Sequence, residues 1–127
     1  MIGLDTSVVA RLLVGEPAAQ AAAARALIDA HAGEVYVSDL VVAETYFALR
    51  HHYAVPHGET IRSLRALLED RRVRATGVAL DVLRGAAGAP TPGFVDRLIH
   101  GGYDADGIEL HTFDRSAARL PRAKLIS

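Results

Sequence analysis

Apolar positions along this chain alternate between short unbroken runs and longer stretches spaced by three and four residues. The runs predict buried strands and the spaced stretches predict helices. Residues 1–4 read as a strand, after which Asp5-Thr6-Ser7 supplies cap chemistry for a helix through Val8, Val9, Leu12 and Leu13. Gly15 stops that helix, and Pro17 opens an alanine-rich one ending near Gly33. Val35 to Val37 is a strand, and Ser38 caps a strongly apolar helix to about Tyr53. His57 to Arg71 predicts an amphipathic helix with Ile61, Leu64, Leu67 and Leu68 on one face. A short strand at Val73 precedes a helix carrying Val78, Leu80, Val82 and Leu83. Pro90-Thr91-Pro92 breaks the chain and starts the next helix, with Thr91 as N-cap and Pro92 first in the helix. That helix is expected to end at His100-Gly101-Gly102, because each interior glycine costs roughly 1 kcal/mol. Asp104 to Gly107 reads as a turn, Ile108 to Phe113 as a strand, Asp114 as the cap of a short helix, and Ala123 to Ile126 as a last strand. Short strands alternating with helices imply an α/β fold whose parallel sheet is covered on both faces.

Four acidic residues interrupt this pattern. Asp5 ends the first apolar run, and Glu44 lies within Leu40-Val41-Val42-Ala43-Glu44-Thr45-Tyr46-Phe47. Asp96 stands between Phe94-Val95 and Leu98-Ile99, and Asp114 closes Leu110-His111-Thr112-Phe113. An ionised carboxylate in apolar surroundings is costly without positive compensation. Only Asp5 and Asp114 are easily explained as helix caps. Ligands of open parallel sheets bind beyond the carboxyl ends of the strands, where Asp5 and Asp114 fall. Glu44 and Asp96 lie in early turns of the helices that follow, and helical spacing puts Glu44 on a face with Leu40, Val41, Phe47 and Ala48, expected to point inward. Oxygen donors drawn from distant segments suit a hard divalent cation such as Mg²⁺. The expectation is therefore an acidic cluster that holds a metal, with Thr6, Ser7, Thr112 and Ser116 supplying supporting hydroxyls.

At 127 residues the chain is expected to be one domain, residues 1–127. It has no cysteine, which excludes disulfides, thiolate zinc sites and a cysteine nucleophile. No basic leader with a long apolar stretch and no run of membrane-spanning length is present, so a soluble, cytoplasmic protein without membrane contact is expected. Net charge is −1, and nothing global advertises nucleic acid. Thirteen of the 14 basic residues are arginine, five of them between Arg62 and Arg74, in a stretch that Glu69 and Asp70 partly neutralise. The histidines lack the spacing of a zinc site.

The acidic positions carry a family resemblance. Leu4-Asp5-Thr6-Ser7-Val8, Val41-Val42-Ala43-Glu44, Phe94-Val95-Asp96-Arg97-Leu98-Ile99 and Leu110-His111-Thr112-Phe113-Asp114-Arg115 resemble, in order, the four acidic segments of PIN-domain ribonucleases, specifically VapC-type toxins of bacterial toxin–antitoxin pairs. The resemblance spans essentially the whole chain. It implies an α/β/α sandwich with a central, mainly parallel sheet. It also implies RNA cleavage dependent on Mg²⁺ or Mn²⁺, with Asp5, Glu44, Asp96 and Asp114 as metal-binding and catalytic residues. A homodimer and a VapB-type antitoxin that blocks the site are the implied partners, and Arg62 and Arg65 become candidate RNA contacts. Many relatives carry a further acid where this chain has Ser116, which would weaken a second metal position. The alternative is a non-catalytic PIN scaffold that binds RNA or a protein. A phosphate-accepting receiver domain fits poorly, because Asp5 has no acidic neighbour and Lys124 is the sole lysine.

Overall fold

The computed structural model describes residues 1–85 and 89–126. Three strands, β1 (Ile2–Gly3), β2 (Val35–Val37) and β3 (Val73–Ala75), form a parallel sheet in the order β1-β2-β3. Ile2 lies opposite Val35, and Val35 opposite Val73. Parallel neighbours need long crossovers, usually helical. Here α1 (Thr6–Val14) and α2 (Ala18–Ala30) connect β1 to β2, and α3 (Asp39–Phe47) and α4 (His57–Glu69) connect β2 to β3. The chain continues through α5 (Ala79–Arg84) and α6 (Phe94–Ala105) to β4 (Leu110–Thr112) and β5 (Ala123–Leu125). The last two strands pair in parallel, Leu110 opposite Ala123, around a single 3₁₀ turn at Ala117–Arg119.

The α/β architecture follows the predicted alternation, but the sheet is divided. Among the described residues β4 pairs with β5 and not with β1. The core belongs to the three-stranded part. Val9, Val35 and Leu64 are fully buried, with Leu4, Ile28, Val37 and Val42 close around them, and α6 adds Phe94 and Leu98. Each such side chain contributes about 1.5–3 kcal/mol relative to exposure.

Two boundaries differ from the sequence reading. Thr91 and Pro92 stay outside α6, and Gly93, in extended backbone, takes the N-cap position. α6 also continues through Gly101 and Gly102 to Ala105. Packing explains the continuation: a Cβ on Gly101 would lie 3.1 Å from Val82 Cγ2 and 3.2 Å from Val78 Cγ2. The missing side chain lets α6 pack closely on α5 and the residue before it, and that contact outweighs the propensity cost. Among the described residues no helix is long and apolar enough to cross a membrane.

Candidate nuclease site

The carboxyl ends of β1 and β4 lead into two copies of one local device. After β1, the Asp5 Oδ1 accepts the Ser7 hydroxyl at 2.7 Å and the Val8 amide at 3.1 Å. After β4, the Asp114 Oδ1 accepts the Ser116 hydroxyl at 2.8 Å, the Ser116 amide at 2.8 Å and the Ala117 amide at 3.2 Å. Both are Asp-x-Ser corners, in which a carboxylate satisfies amides that the following turn leaves unpaired. The hydroxyls have an electrostatic effect as well. Ser7, with the Val8 amide behind it, holds the Asp5 carboxyl below its ordinary value. Ser116, with the Ala117 and Ser116 amides, does the same for Asp114. Stabilising the charged form by hydrogen bonding is the common cause.

Glu44 joins the first corner. Thr6, in the first turn of α1, donates its hydroxyl to Glu44 Oε1 at 3.2 Å. Thr112 serves the second corner, its hydroxyl accepting the Asp114 amide at 2.9 Å. All four hydroxyl residues named from the sequence therefore bond to one of the named acids.

Asp96 lies in the first turn of α6 and is half-buried. Its Oδ2 comes within 3.9 Å of where a Cβ on Gly93 would stand, so the carboxylate turns back over the helix start, where the dipole favours it.

Two expectations are corrected. Asp5, Glu44 and Asp114 are exposed, not enclosed by apolar side chains. Glu44 does share a face with Leu40 and Phe47, but that face looks to solvent, and Val42 and Thr45 are the residues α3 buries instead. The four carboxylates also form no cluster: among the described residues, no three Asp, Glu or His side chains stand close enough to share one ion. Like charges repel, and hydroxyls or amides bond Asp5, Glu44 and Asp114 each where it stands. Asp114 in addition follows a strand that, among the described residues, has no ladder to β1, so no strand register sets it against Asp5.

The donor chemistry nevertheless suits a hard divalent ion. The acids at this edge offer only oxygen, and among the described residues Oδ2 of Asp5 and Oδ2 of Asp114 have no hydrogen-bond partner.

The arginines named for RNA differ in engagement. Arg65 pairs with Glu69 at 2.7 Å and holds that carboxyl below its ordinary value, while Arg62 has no ion-pair partner among the described residues. Nearby, Arg72 bonds both Asp70 and Asp29, and Arg74 donates to Gly33 O at 2.7 Å. Much of the basic stretch is thus structural.

Asp39 was not singled out from the sequence. Its carboxylate accepts the Val78 amide at 3.0 Å and the Ala79 amide at 2.9 Å, tying the start of α3 to the start of α5. A Cβ on Gly77 would lie 2.3 Å from its Oδ2, so a side chain there would push the carboxylate off the two amides. An acid one residue after the N-cap Ser38 is the local signal; a partner loop nearly 40 positions away leaves no trace in the sequence.

No curated protein matches the chain. The PIN-domain family profile matches residues 2–123, and PIN domains are generally metal-dependent nucleases. With that match over nearly its whole length, and with the parallel α/β architecture, the chain belongs to the PIN-domain family, whose fold is that of a nuclease-type enzyme.

Proposed function

We propose that the protein is a divalent-metal-dependent endoribonuclease, the VapC-type toxin of a toxin–antitoxin pair, with Asp5, Glu44, Asp96 and Asp114 as its catalytic and metal-holding residues. The observation that carries this reading is the link from Thr6 to Glu44 at 3.2 Å, which joins the Asp5 corner to the helix after β2 at one edge of a PIN-domain sheet. The chemistry that Mg²⁺ or Mn²⁺ supplies in such a site is activation of water and neutralisation of charge on the phosphate. The chain's own part is to hold oxygen donors in fixed orientation. Ser7 and Ser116 each occupy one oxygen of an aspartate and leave the other for the ion. Low carboxyl pKa values keep both groups charged well into the acid range. Water is the nucleophile, so no side chain needs to attack phosphorus.

Arg62 is the better placed of the two candidate RNA contacts, since Arg65 already answers Glu69. A VapB-type antitoxin and a homodimer complete the reading. Of Val8, Leu12, Phe47 and Leu64, the apolar helix residues in the sequence that suggest self-association, Leu64 is wholly buried, Val8 and Leu12 pack against the protein's own core, and Phe47 is 48% exposed. Support for the dimer comes instead from Ile99 and Tyr103, one turn apart on α6 and both about half exposed. The separation of the carboxylates, together with Ser116, favours as second reading a PIN scaffold that binds RNA without cutting.

Incubation of the pure protein with labelled RNA and DNA, with and without Mn²⁺, separates the two. The nuclease reading expects Mn²⁺-dependent RNA fragments that are absent with chelator. Tight RNA binding with no fragments at any Mn²⁺ concentration would leave only the scaffold.

A further inference from the structure

Phe47 ends the regular part of α3 with its ring 48% exposed. Beyond it the helix widens into a π-helical turn at Ala48–His52, a distortion that recurs at functional sites. His51 lies against Phe47, ring centroids 5.9 Å apart and planes 20° from parallel. Tyr46 buttresses Phe47 edge-on at 5.7 Å, and is itself fixed by Phe94 at 5.1 Å and by a 2.8 Å hydrogen bond to His57. An exposed flat plate thus rests on an immobilised aromatic layer.

The plate forms one wall of a groove of about 390 Å³ between the end of α3 and the start of α6, with Asp96 on the opposite wall. Arg50 also lines it. One Arg50 nitrogen donates to Val55 O at 3.0 Å, and the others have no partner among the described residues. An aromatic plate, a cation and a carboxylate across one groove match the parts of a nucleotide: a ring to stack, a phosphate to neutralise, and N–H groups to donate.

We propose that the Phe47–His51 plate stacks an unpaired base of single-stranded RNA, so placed that a neighbouring phosphate lies at Arg50, across the groove from Asp96. The proposal rests on the nuclease reading of that acid. A paired base offers no free face, so the site selects single strands and loops. Phe47 already stands in solvent, so the base covers apolar surface with no rearrangement of the core.

The test is the affinity of a short oligoribonucleotide in chelator, with each nucleotide in turn made abasic. It is measured for the natural protein, Phe47→Ala and Phe47→Tyr. Base–aromatic stacking of ordinary strength predicts about a 10-fold loss in Phe47→Ala. Phe47→Tyr, which keeps the ring, should restore binding. One abasic position should weaken the natural protein by the same factor and leave Phe47→Ala unaffected.

Identical abasic profiles for the natural protein and Phe47→Ala would overturn the proposal, as would a natural protein that binds no RNA. Light scattering that shows Phe47→Ala changing oligomeric state, with an unchanged abasic profile, would assign the face to self-association instead. The nuclease reading is scored separately, by Mn²⁺-dependent cleavage. Cleavage with a flat abasic profile removes stacking alone, and base-sensitive binding without cleavage removes the nuclease alone.

Discussion

The corners at Asp5 and Asp114 use the same three-residue chemistry in very different settings. Leu4, before Asp5, is buried in the core, and the helix that Asp5 caps runs nine residues with Val9 wholly enclosed. Phe113, before Asp114, is 78% exposed, and its corner leads into one 3₁₀ turn. The first corner is also tied across to Glu44. The second is held by Thr112 and Ser116, its own sequence neighbours. Local chemistry can therefore orient a carboxylate equally well in both places, while only tertiary packing fixes where that carboxylate stands. The Asp5 corner is thus linked by a side-chain hydrogen bond to a distant helix, whereas the hydrogen bonds at Asp114 stay within three residues of it.

Truncating the residue before each aspartate breaks this comparison most forcefully. Leu4→Ala removes a core side chain and should cost about 2–5 kcal/mol. Phe113→Ala removes an exposed one and should stay within about 0.5 kcal/mol. Urea unfolding at neutral pH measures both. Similar losses for the two variants would mean that the second corner is anchored as firmly as the first.

A smaller effect sharpens the same contrast. Ser7→Ala and Ser116→Ala each delete the largest cause of a lowered carboxyl pKa, so Asp5 and Asp114 should both titrate closer to the ordinary value. The sign follows from linkage. A carboxylate whose folded pKa is depressed stabilises the fold above its unfolded value, about 3.9, and loses that contribution as pH falls through the folded value. Each serine variant should thus lose its acid-range contribution at higher pH than the natural protein. Carboxyl NMR titration reads the pKa values directly. Hydrogen exchange adds the difference between corners: Ser116→Ala should expose the amides of Ser116 and Ala117, whereas the packed α1 should keep the Val8 amide protected. Equal exchange at both corners would remove the distinction.

The same division explains what could be read from the sequence. Capping by Asp5 and Ser38 was legible because each cap and its amide lie within three residues; Asp114 accepts the Ser116 and Ala117 amides, but Ser116 holds the N-cap position of its 3₁₀ turn. The strand–helix alternation was legible because apolar spacing is a local signal. The extension of α6 through Gly101 was hidden, since its cause is a contact with Val78 and Val82 about 20 positions earlier. The outward face of Glu44 was hidden for a similar reason. Leu40 and Phe47 are apolar, yet 70% and 48% exposed, and hydropathy alone places such a helix face inside. Identifying the acids required only the residues and their order; locating them relative to one another required the break between β4 and β1.

Asp5, Glu44, Asp96 and Asp114 are proposed to make one metal-dependent RNA-cleaving site, with Glu44 joined to the Asp5 corner through Thr6. Glu44→Gln keeps the side chain's shape, can still accept the Thr6 hydroxyl, and removes only the charge. The most direct measurement is its rate of RNA cleavage under single-turnover conditions with saturating Mn²⁺, beside the natural protein. Loss of a group essential to a metal-assisted hydrolysis should lower that rate on the order of 100-fold or more, with the thermal midpoint without metal unchanged, since Glu44 is exposed and the amide can still accept the Thr6 hydroxyl. Cleavage by Glu44→Gln as fast as that of the natural protein would contradict the account.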